Sequence, residues 1–229
     1  MAEAGAEHHD GKSAEHRDQT SAEHRGKPTG EQGPPLILKI GGSLAETGRL
    51  RPVLEKIGRA RRPIIVVPGG GAFADKVREL QRAIGFDDAQ AHRLAMLGMH
   101  QMAEVFFALE PRLAPAGSVD GIAWVLAEGL IPVWLPLAMC EHDGEIPADW
   151  SITSDGLAAR LAERMGGAEV VLLKSLTVDA EASASALADD GAVDRTFPAI
   201  VARAGLRWRI LGPQDDAALD ALLGLVPGA

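Results

Sequence analysis

Cysteine is almost absent from the chain, since Cys140 is the only one among 229 residues. A single thiol excludes an internal disulfide, and such a low cysteine content suits a reducing compartment. No apolar run approaches the ~20 residues of a membrane-spanning helix, and the polar, charged first residues show no secretory signal. We therefore expect a cytoplasmic protein that does not enter a membrane.

Basic residues are also in deficit: 23 Lys and Arg stand against 32 Asp and Glu, which gives a formal net charge of −9. Nucleic-acid-binding proteins generally present a basic stripe that releases counterions from the phosphate backbone. This chain has no such stripe, so we expect no nucleic-acid partner. Its length and its 46% hydrophobic residues are sufficient for one α/β domain with a sizeable core.

Residues 1–33 contain no Leu, Ile, Val or Phe, and an Ala-Glu-His unit recurs in them at Ala6, Ala14 and Ala22. Such a segment cannot bury enough apolar surface to offset the entropy that is lost on ordering. We therefore expect a disordered tail over residues 1–33 and a folded domain over residues 34–229. The tail histidines could bind a transition metal adventitiously or could simply be solvated; they are His8, His9, His16 and His24.

After residue 34, short apolar segments alternate with amphipathic ones. Strands are predicted over residues 36–40, 63–67, 131–135, 169–173 and 207–211. Helices are predicted over residues 50–60, 72–84, 88–109, 119–128, 156–165, 193–204 and 215–223. The candidate N-caps are Asp87 or Asp88, Ser118, and Thr153 or Ser154. This alternation is typical of βαβ units, so we predict an α/β fold with a central, mostly parallel sheet and helices on both faces.

The predicted strand over residues 36–40 carries one lysine, Lys39, and continues into Gly41, Gly42 and Ser43. An unpaired ammonium buried in such a strand is strongly destabilising, so its charge must be met. The glycines let the backbone turn tightly and bring N–H groups close to a ligand. A cation beside exposed amides suits a phosphate, and the motif is either a phosphate-binding loop or an ordinary strand-to-helix turn.

A second glycine cluster, Gly69, Gly70 and Gly71, follows another apolar strand and opens a helix. Its amides and the helix N-terminus can together bind an anion. Neither cluster has the spacing of a P-loop or of a Gly-x-Gly-x-x-Gly dinucleotide motif. Two such loops indicate a cradle for one polyphosphate, or for a donor and an acceptor together, although both could be simple tight turns.

Two further residues suit the same chemistry. Lys174 stands at the end of the apolar strand over residues 169–173, where it either joins the site or marks the exposed strand end. Asp155 falls in the first turn of a helix, where the helix dipole alone favours a carboxylate. Because a buried lysine needs a counter-ion, we expect Asp155 to hold a lysine in place.

Residues 39–43, 68–71 and 152–155, in this order, resemble the motifs of the amino acid kinase family. The resemblance covers essentially the chain from residue 34 to the C-terminus and implies a three-layer αβα sandwich. It also implies ATP as the phosphoryl donor, together with Mg²⁺, and a homodimer or larger homo-oligomer, as is usual in this family.

The resemblance assigns roles to individual residues. The γ-phosphoryl group of ATP would lie between the two glycine loops, where Lys39 stabilises its charge and Asp155 orients the lysines. The expected catalytic residues are Lys39, Asp155 and Lys174. Phosphate or nucleotide contacts are expected from Gly41, Gly42, Ser43, Gly69, Gly70, Gly71, Ser175 and Arg195, with the amides of Gly41, Gly42, Gly69 and Gly70 as donors. The helix from residue 87 often borders the acceptor in this fold, so acceptor contacts are expected from Asp87, His92, Thr153 and Ser154.

One segment departs from the family pattern. Members commonly carry Thr-Asp followed by Val-Asp-Gly before the nucleotide pocket, whereas the run from residue 173 here reads Leu-Lys-Ser-Leu-Thr-Val-Asp-Ala. Lys174 would then bind the nucleotide's phosphates itself. Residues 181–190 are rich in alanine, so any lid over the nucleotide should be reduced. Asp194 and Arg195 open a predicted helix near the expected nucleotide end, where they either bind phosphate or merely cap the helix.

Residues 150–157 and 193–198 resemble the branch of the family that acts in methanofuran biosynthesis. We therefore expect an ATP-dependent kinase that converts a small phosphate monoester, an aminomethylfuran phosphate, to a diphosphate for a methanofuran-type one-carbon cofactor. Two alternatives stay open. One is an amino-acid or carbamate kinase of the same fold, and the other is a non-catalytic nucleotide- or oxyanion-binding subunit in which Lys174 marks a lost ATP site.

Overall fold

Short apolar strands build a sheet at the centre of the folded domain. The computed structural model describes residues 35–179 and 181–225, so the predicted tail over residues 1–33 lies outside the described residues. Six strands are present in the described part: β1 (Leu36–Ile40), β2 (Ile64–Pro68), β3 (Leu113–Ala116), β4 (Ile131–Trp134), β5 (Glu169–Leu173) and β6 (Trp208–Leu211). All pairings are parallel, in the order β3-β4-β2-β1-β5-β6. The predicted α/β class with a parallel central sheet is confirmed.

Helices connect these strands on both faces of the sheet. Over residues 35–179 and 181–225 they are α1 (Leu50–Gly58), α2 (Gly71–Ile84), α3 (Asp88–Leu109), α4 (Val119–Ala127), α5 (Leu137–Cys140), α6 (Ser154–Arg164), α7 (Ala184–Asp189), α8 (Phe197–Arg203) and α9 (Asp216–Leu222). A short 3-10 turn, Gly42–Leu44, follows β1. Within this described part, none of the helices has the length and apolar character needed to cross a membrane.

Two apolar cores lie on opposite faces of the sheet, as a three-layer sandwich requires. Alternate side chains of a strand point to opposite faces, and accordingly Leu36, Leu38 and Ile40 of β1 join one core while Ile37 joins the other. The core of Leu36 also contains residues of α1, and the core of Ile37 contains residues of α4, α6 and α8. Helix α3 contributes to both cores, because its first half packs on one face and its second half on the other.

The strand register determines where the two candidate lysines lie. Lys39 has the same parity as Ile37, so it faces the layer that contains α6. Lys39 stands opposite Leu172 of the neighbouring strand β5. Lys174 follows two residues later and therefore faces the same layer. Both lysines lie at the carboxyl end of adjacent parallel strands, which is where open α/β sheets bind ligands.

The structure differs from the sequence prediction at a few elements. Strand β3 was not predicted, and it contains Pro115; β3 is an edge strand, where the missing proline N–H does not break the ladder. Asp87 and Ser118 cap α3 and α4 as predicted. Thr153 precedes α6, but its side chain makes no cap hydrogen bond. Helix α8 begins at Phe197 rather than at residue 193.

Candidate active site

Lys39, Lys174 and Asp155 form a buried cluster at the carboxyl end of β1 and β5. The Lys39 Nζ lies 2.7 Å from Asp155 Oδ1, and the Lys174 Nζ lies 2.5 Å from Asp155 Oδ2. The Lys174 side chain is 14% exposed, so the reading of Lys174 as a solvent-exposed strand end is wrong. One carboxylate bridges two ammonium groups, and the three-residue cluster keeps a net positive charge.

Electrostatics keep the aspartate of this cluster ionised. Burial alone would raise the pKa of Asp155, but the ammonium groups of Lys39 and Lys174 outweigh it and hold that pKa below its usual range. Burial, followed by repulsion from Lys39, lowers the pKa of Lys174, although Asp155 opposes the shift. Lys174 therefore loses its proton more readily than an ordinary lysine.

The two glycine loops touch each other at Gly42 and Gly71. A Cβ atom on Gly42 would lie 2.2 Å from both the Cα and the N of Gly71, which no real side chain tolerates. Gly71 has a φ of +51°, a backbone conformation that favours glycine. The loops therefore form one continuous rim above β1 and β2, and only residues without side chains allow this contact.

The amides of this rim differ in part from the sequence expectation. The Gly41 N–H is donated to the Leu173 carbonyl at 3.0 Å, and the Gly69 N–H is donated to the Ile40 carbonyl at 2.8 Å. These two amides fasten the loops to the strands, which corrects the expectation that they donate to phosphate. In the part of the chain that the structure describes, the amides of Gly42 and Gly70 have no backbone partner and remain available.

Ser43 and Ser175 connect the first glycine loop with the segment that follows β5. Their hydroxyl oxygens lie 2.7 Å apart, and either hydroxyl can donate. The segment that departs from the family pattern thus lies against the loop that carries Gly42. Ser175 and Ser43 are close enough to contact one bound group together.

A smaller cavity of about 210 Å³ lies between the glycine loops, α3 and the beginning of α6. Eight of the residues expected from the sequence line it: Gly42, Ser43, Gly69, Gly70, Gly71, His92, Thr153 and Ser154. A larger cavity of about 920 Å³ lies over the lysines and beside α7 and α8. Five expected residues line the larger one, and Thr153 borders both cavities: Lys39, Thr153, Asp155, Lys174 and Arg195.

Arg78 and Trp150 line both cavities. The guanidinium carbon of Arg78 lies 4.2 Å from the centre of a Trp150 ring, a cation–π contact. The Trp150 Nε1–H donates to Gln81 Oε1 at 2.7 Å, which fixes the indole on α2. Neither residue was expected at the site; the available signal was a tryptophan directly before the run that contains Asp155.

Of the residues that were expected to bind the acceptor, His92 lines a cavity and Asp87 does not. His92 is buried in the wall of the smaller cavity, and its Nε2 has no hydrogen-bond partner among the described residues. Burial lowers the pKa of His92, with Asp149 opposing, so the imidazole is neutral at pH 7. Asp87 instead accepts the Gln90 N–H as the N-cap of α3 and lines neither cavity, because its side chain is used in the cap.

Known proteins resemble this chain in sequence and in fold. A sequence model of the amino acid kinase family matches residues 34–177. A curated relative, the [5-(aminomethyl)furan-3-yl]methyl phosphate kinase of Methanocaldococcus jannaschii, is 26% identical over 140 residues. That match covers 59% of this chain and 63% of the relative, which is less than two thirds of the relative's length.

Solved structures of kinases share the fold. The uridylate kinase of Archaeoglobus fulgidus has a TM-score of 0.57 at 16% identity, covering 85% of this chain and 97% of that one. The UMP kinase of Bacillus anthracis has a TM-score of 0.60 at 13% identity, covering 83% of this chain and 92% of that one. Identities this low establish the fold only. The family model and the curated relative, rather than these structures, support the expectation of an ATP-dependent phosphotransferase. Since the family model also covers well over half of the chain, the chain belongs to the amino acid kinase family.

Proposed function

We propose that the protein is an ATP-dependent small-molecule kinase. The observation that carries the proposal is the pair of ammonium groups, Lys39 and Lys174, which one buried carboxylate holds beside the two glycine loops. In phosphoryl transfer, catalysis comes mainly from positioning and from neutralising the charge on the oxygens of the transferred group. Two lysine cations and the free amides of Gly42 and Gly70 suit both tasks.

Mg²⁺ enters this proposal as part of the substrate MgATP. Among the described residues, no group of three His, Cys, Asp or Glu side chains could hold a metal ion. Kinases commonly bind Mg²⁺ through the substrate phosphates with one or two carboxylates. The task of the chain's own cations is therefore to bind and orient the phosphates.

The proposed reaction does not require a general base. Asp155 contacts both lysines and its pKa is held low, so it is a poor proton acceptor. An oxygen of a phosphate monoester already carries negative charge at neutral pH and can attack phosphorus directly. The site therefore favours an anionic acceptor over an alcohol.

The size of the smaller cavity supports a small acceptor. Its volume of about 210 Å³ exceeds the ~150 Å³ that accommodates benzene and falls below the ~300 Å³ at which pockets for drug-sized ligands begin. One ring with short substituents fits such a space, and the larger cavity of about 920 Å³ has room for ATP. Together with the relative from Methanocaldococcus jannaschii, this leads us to propose an aminomethylfuran phosphate as the acceptor, a diphosphate as the product and a methanofuran-type cofactor as the end point.

The alternatives predict different products. A carboxylate acceptor would give an acyl phosphate, and a carbamate acceptor would give carbamoyl phosphate. Hydroxylamine traps an acyl phosphate, whereas it does not trap the diphosphate expected from a phosphate monoester. A non-catalytic subunit would bind MgATP without any transfer. The ion pair of Lys174 with Asp155 favours catalysis, because it joins Lys174 to the charged cluster.

Transfer of phosphate from ATP to a panel of acceptors tests the proposal. The panel holds the aminomethylfuran phosphate, UMP, aspartate, acetylglutamate and carbamate, and mass spectrometry identifies the product. We expect a diphosphate from the furan phosphate and much slower transfer to UMP, which is larger. Absence of transfer to every acceptor, with MgATP still bound, would replace the kinase proposal by the non-catalytic one.

Two further proposals follow from the family rather than from the site. We propose a homodimer or larger homo-oligomer and a cytoplasmic location. Sedimentation of the full chain measures the first, and fractionation of the source cells measures the second.

A further inference from the structure

Helix α6, which carries Asp155 in its first turn, is capped from a distant part of the chain. Thr153 is its N-cap residue but makes no side-chain cap bond. Asp194 supplies this function instead: its Oδ2 accepts the N–H groups of Thr153 and Gly156, each at 2.7 Å, and its Oδ1 accepts the Thr153 hydroxyl at 2.6 Å. The two amides flank Asp155 in the chain, so Asp194 fixes the backbone on both sides of it.

A second contact strengthens this attachment. The Thr196 N–H and hydroxyl are both donated to the Ser151 carbonyl at 3.2 Å. A Cβ atom on Gly156 would lie 2.8 Å from Thr196 Oγ1 and 2.7 Å from Ile152 Cγ1, so the two segments approach as closely as glycine allows. The turn before α8 is thus fastened to the beginning of α6.

We propose that Asp194 is a positioning residue for phosphoryl transfer, which holds Asp155 where it can contact both lysines. The inference rests on the proposed kinase function. Carboxylates that orient the ligands of metal sites contribute about 10- to 100-fold to affinity or activity, and a misplacement of reacting groups by about 1 Å can cost about 100-fold in other enzymes. Asp194 itself does not need to touch a substrate for this role.

Asp194 could instead act through its charge, which favours the protonated form of Lys174. Substitutions separate the two roles. In Asp194→Asn, the amide oxygen can still accept both N–H groups while the amide N–H donates to the Thr153 hydroxyl, so the geometry stays and the charge is lost. In Asp194→Ala, both are lost. Ser118→Ala is the matched control, because it removes the N-cap bond of α4 to the Gly121 N–H, which lies outside both cavities.

The experiment compares kcat and KM of these variants with those of the wild-type full chain. We expect Asp194→Ala to lower kcat about 10- to 100-fold with little change in the KM for ATP. The kcat of Asp194→Asn should be at least tenfold higher than that of Asp194→Ala. Ser118→Ala should lower the melting temperature without lowering kcat. Unchanged kcat in Asp194→Ala would overturn the proposal, and so would an Asn variant as slow as the Ala variant.

Side-chain NMR of the lysines provides a readout that needs no acceptor. The Nζ resonances of Lys39 and Lys174 report their ion pairs with Asp155, so Asp194→Ala should shift both while Ser118→Ala leaves both in place. Asp194→Asn should leave the Lys39 resonance in place, and only Lys174, which senses the charge of Asp194, should respond to it. If wild-type protein transfers phosphate to no acceptor but these shifts occur, the kinase function fails and the positioning of Asp155 stands. If the resonances do not move in Asp194→Ala, the positioning role is refuted.

Discussion

At the scale of single residues, the site depends on one carboxylate that serves two lysines. A buried ammonium without a partner is strongly unfavourable, and two adjacent ones repel each other. Asp155 resolves both problems at 2.7 Å from Lys39 and 2.5 Å from Lys174. Because Asp155 stabilises the buried lysines themselves, substitutions of the lysines test the proposed catalytic role better than substitution of Asp155.

Substitution of Lys39 by methionine tests its role in transition-state stabilisation. Methionine fills similar space without charge, and Asp155 keeps its ion pair with Lys174, so the fold should survive. We expect kcat to fall by on the order of 10² or more, since a charge that meets the transferred group is removed. The control is Lys76→Met, because Lys76 is exposed and its only ion pair among the described residues is with Glu79. Wild-type turnover in Lys39→Met, with an unchanged circular dichroism spectrum, would exclude the role.

The activity should depend on the protonation of Lys174. Burial and repulsion from Lys39 lower the pKa of Lys174 from its ordinary 10.5, with Asp155 and Asp194 opposing. As pH rises through this lowered pKa, the cation is lost, so kcat should fall at a pH below 10.5. The guanidinium group in Lys174→Arg stays charged at that pH. We expect this variant to be slower than the wild type, but its kcat should not show the alkaline decline. The measurement is kcat between pH 6 and 11, and an identical decline in both proteins would assign it to another group.

The sequence was informative about single residues only where a physical demand was local. Lys39 and Asp155 could be paired because a lysine in an apolar strand needs a counter-ion. A cap by Asp194 was expected only for the helix that it opens. Its cap of α6 could not be predicted, since its amide partners lie 38 and 41 residues earlier in the chain. His92 was expected at the acceptor from the place of its helix, and the structure places its free Nε2 in the cavity wall.

At the scale of elements, the glycine loops join β1 and β2 to their helices through backbone contact. The amides of Gly41 and Gly69 hold the loops on the sheet, whereas those of Gly42 and Gly70 have no backbone partner among the described residues. Which of these amides are bonded to the strands could not be predicted from the sequence, because the four glycines occupy similar positions in the two motifs and differ only in their hydrogen bonds. The strand over Leu36–Ile40, by contrast, was predicted in full from its apolar run.

Substitution of Gly42 by alanine tests the contact between the loops. The added methyl group would lie 2.2 Å from two backbone atoms of Gly71, so the loops must separate. We expect a loss of about 2 kcal/mol in the free energy of unfolding and a fall in kcat of at least tenfold. Gly117→Ala is the control, because a methyl group there meets nothing within 4 Å. Equal stability and equal kcat in the two variants would contradict the described loop contact.

At the scale of the whole folded domain, ion pairs tie the segment before α6 to α6 itself, and tie α6 to α8. Asp143 is buried and accepts from Arg160 Nε and Nη2, each at 2.8 Å. Glu163 of the same helix accepts from Arg160 and from Arg203 of α8. The segment is thus fixed to α6 at Asp143, and it carries Trp150 to the boundary between the two cavities. These carboxylates therefore contribute both to the stability of the domain and to the shape of the site.

Acid should therefore unfold the domain through these groups. The hydrogen bond from Arg160 is the main cause that holds the pKa of Asp143 below 3.8, and the hydrogen bond from Arg203 is the main cause that lowers the pKa of Glu163 from 4.5 to about 2. At a pH between the folded and the unfolded pKa of these carboxyl groups, the unfolded chain binds more protons than the folded chain does. Their contribution to the free energy of unfolding is therefore complete above about pH 4.5 and is lost as the pH falls towards 2. Urea unfolding at pH 7, 5, 4 and 3 measures this slope.

Asp143→Asn shows which part of the acid response belongs to the buried pair. The asparagine amide carries no charge and cannot accept two hydrogen bonds from Arg160 in a bidentate ion pair. The free energy of unfolding of this variant at pH 7 should therefore be lower, by up to about 3 kcal/mol. It should also lose less stability than the wild type between pH 5 and pH 3, because one proton-linked group is gone. Asp120→Asn, at an exposed aspartate of α4, should keep the wild-type slope. If Asp143→Asn kept that slope as well, acid sensitivity would have to arise from other carboxylates such as Glu163 or Asp155, whose pKa values are also lowered.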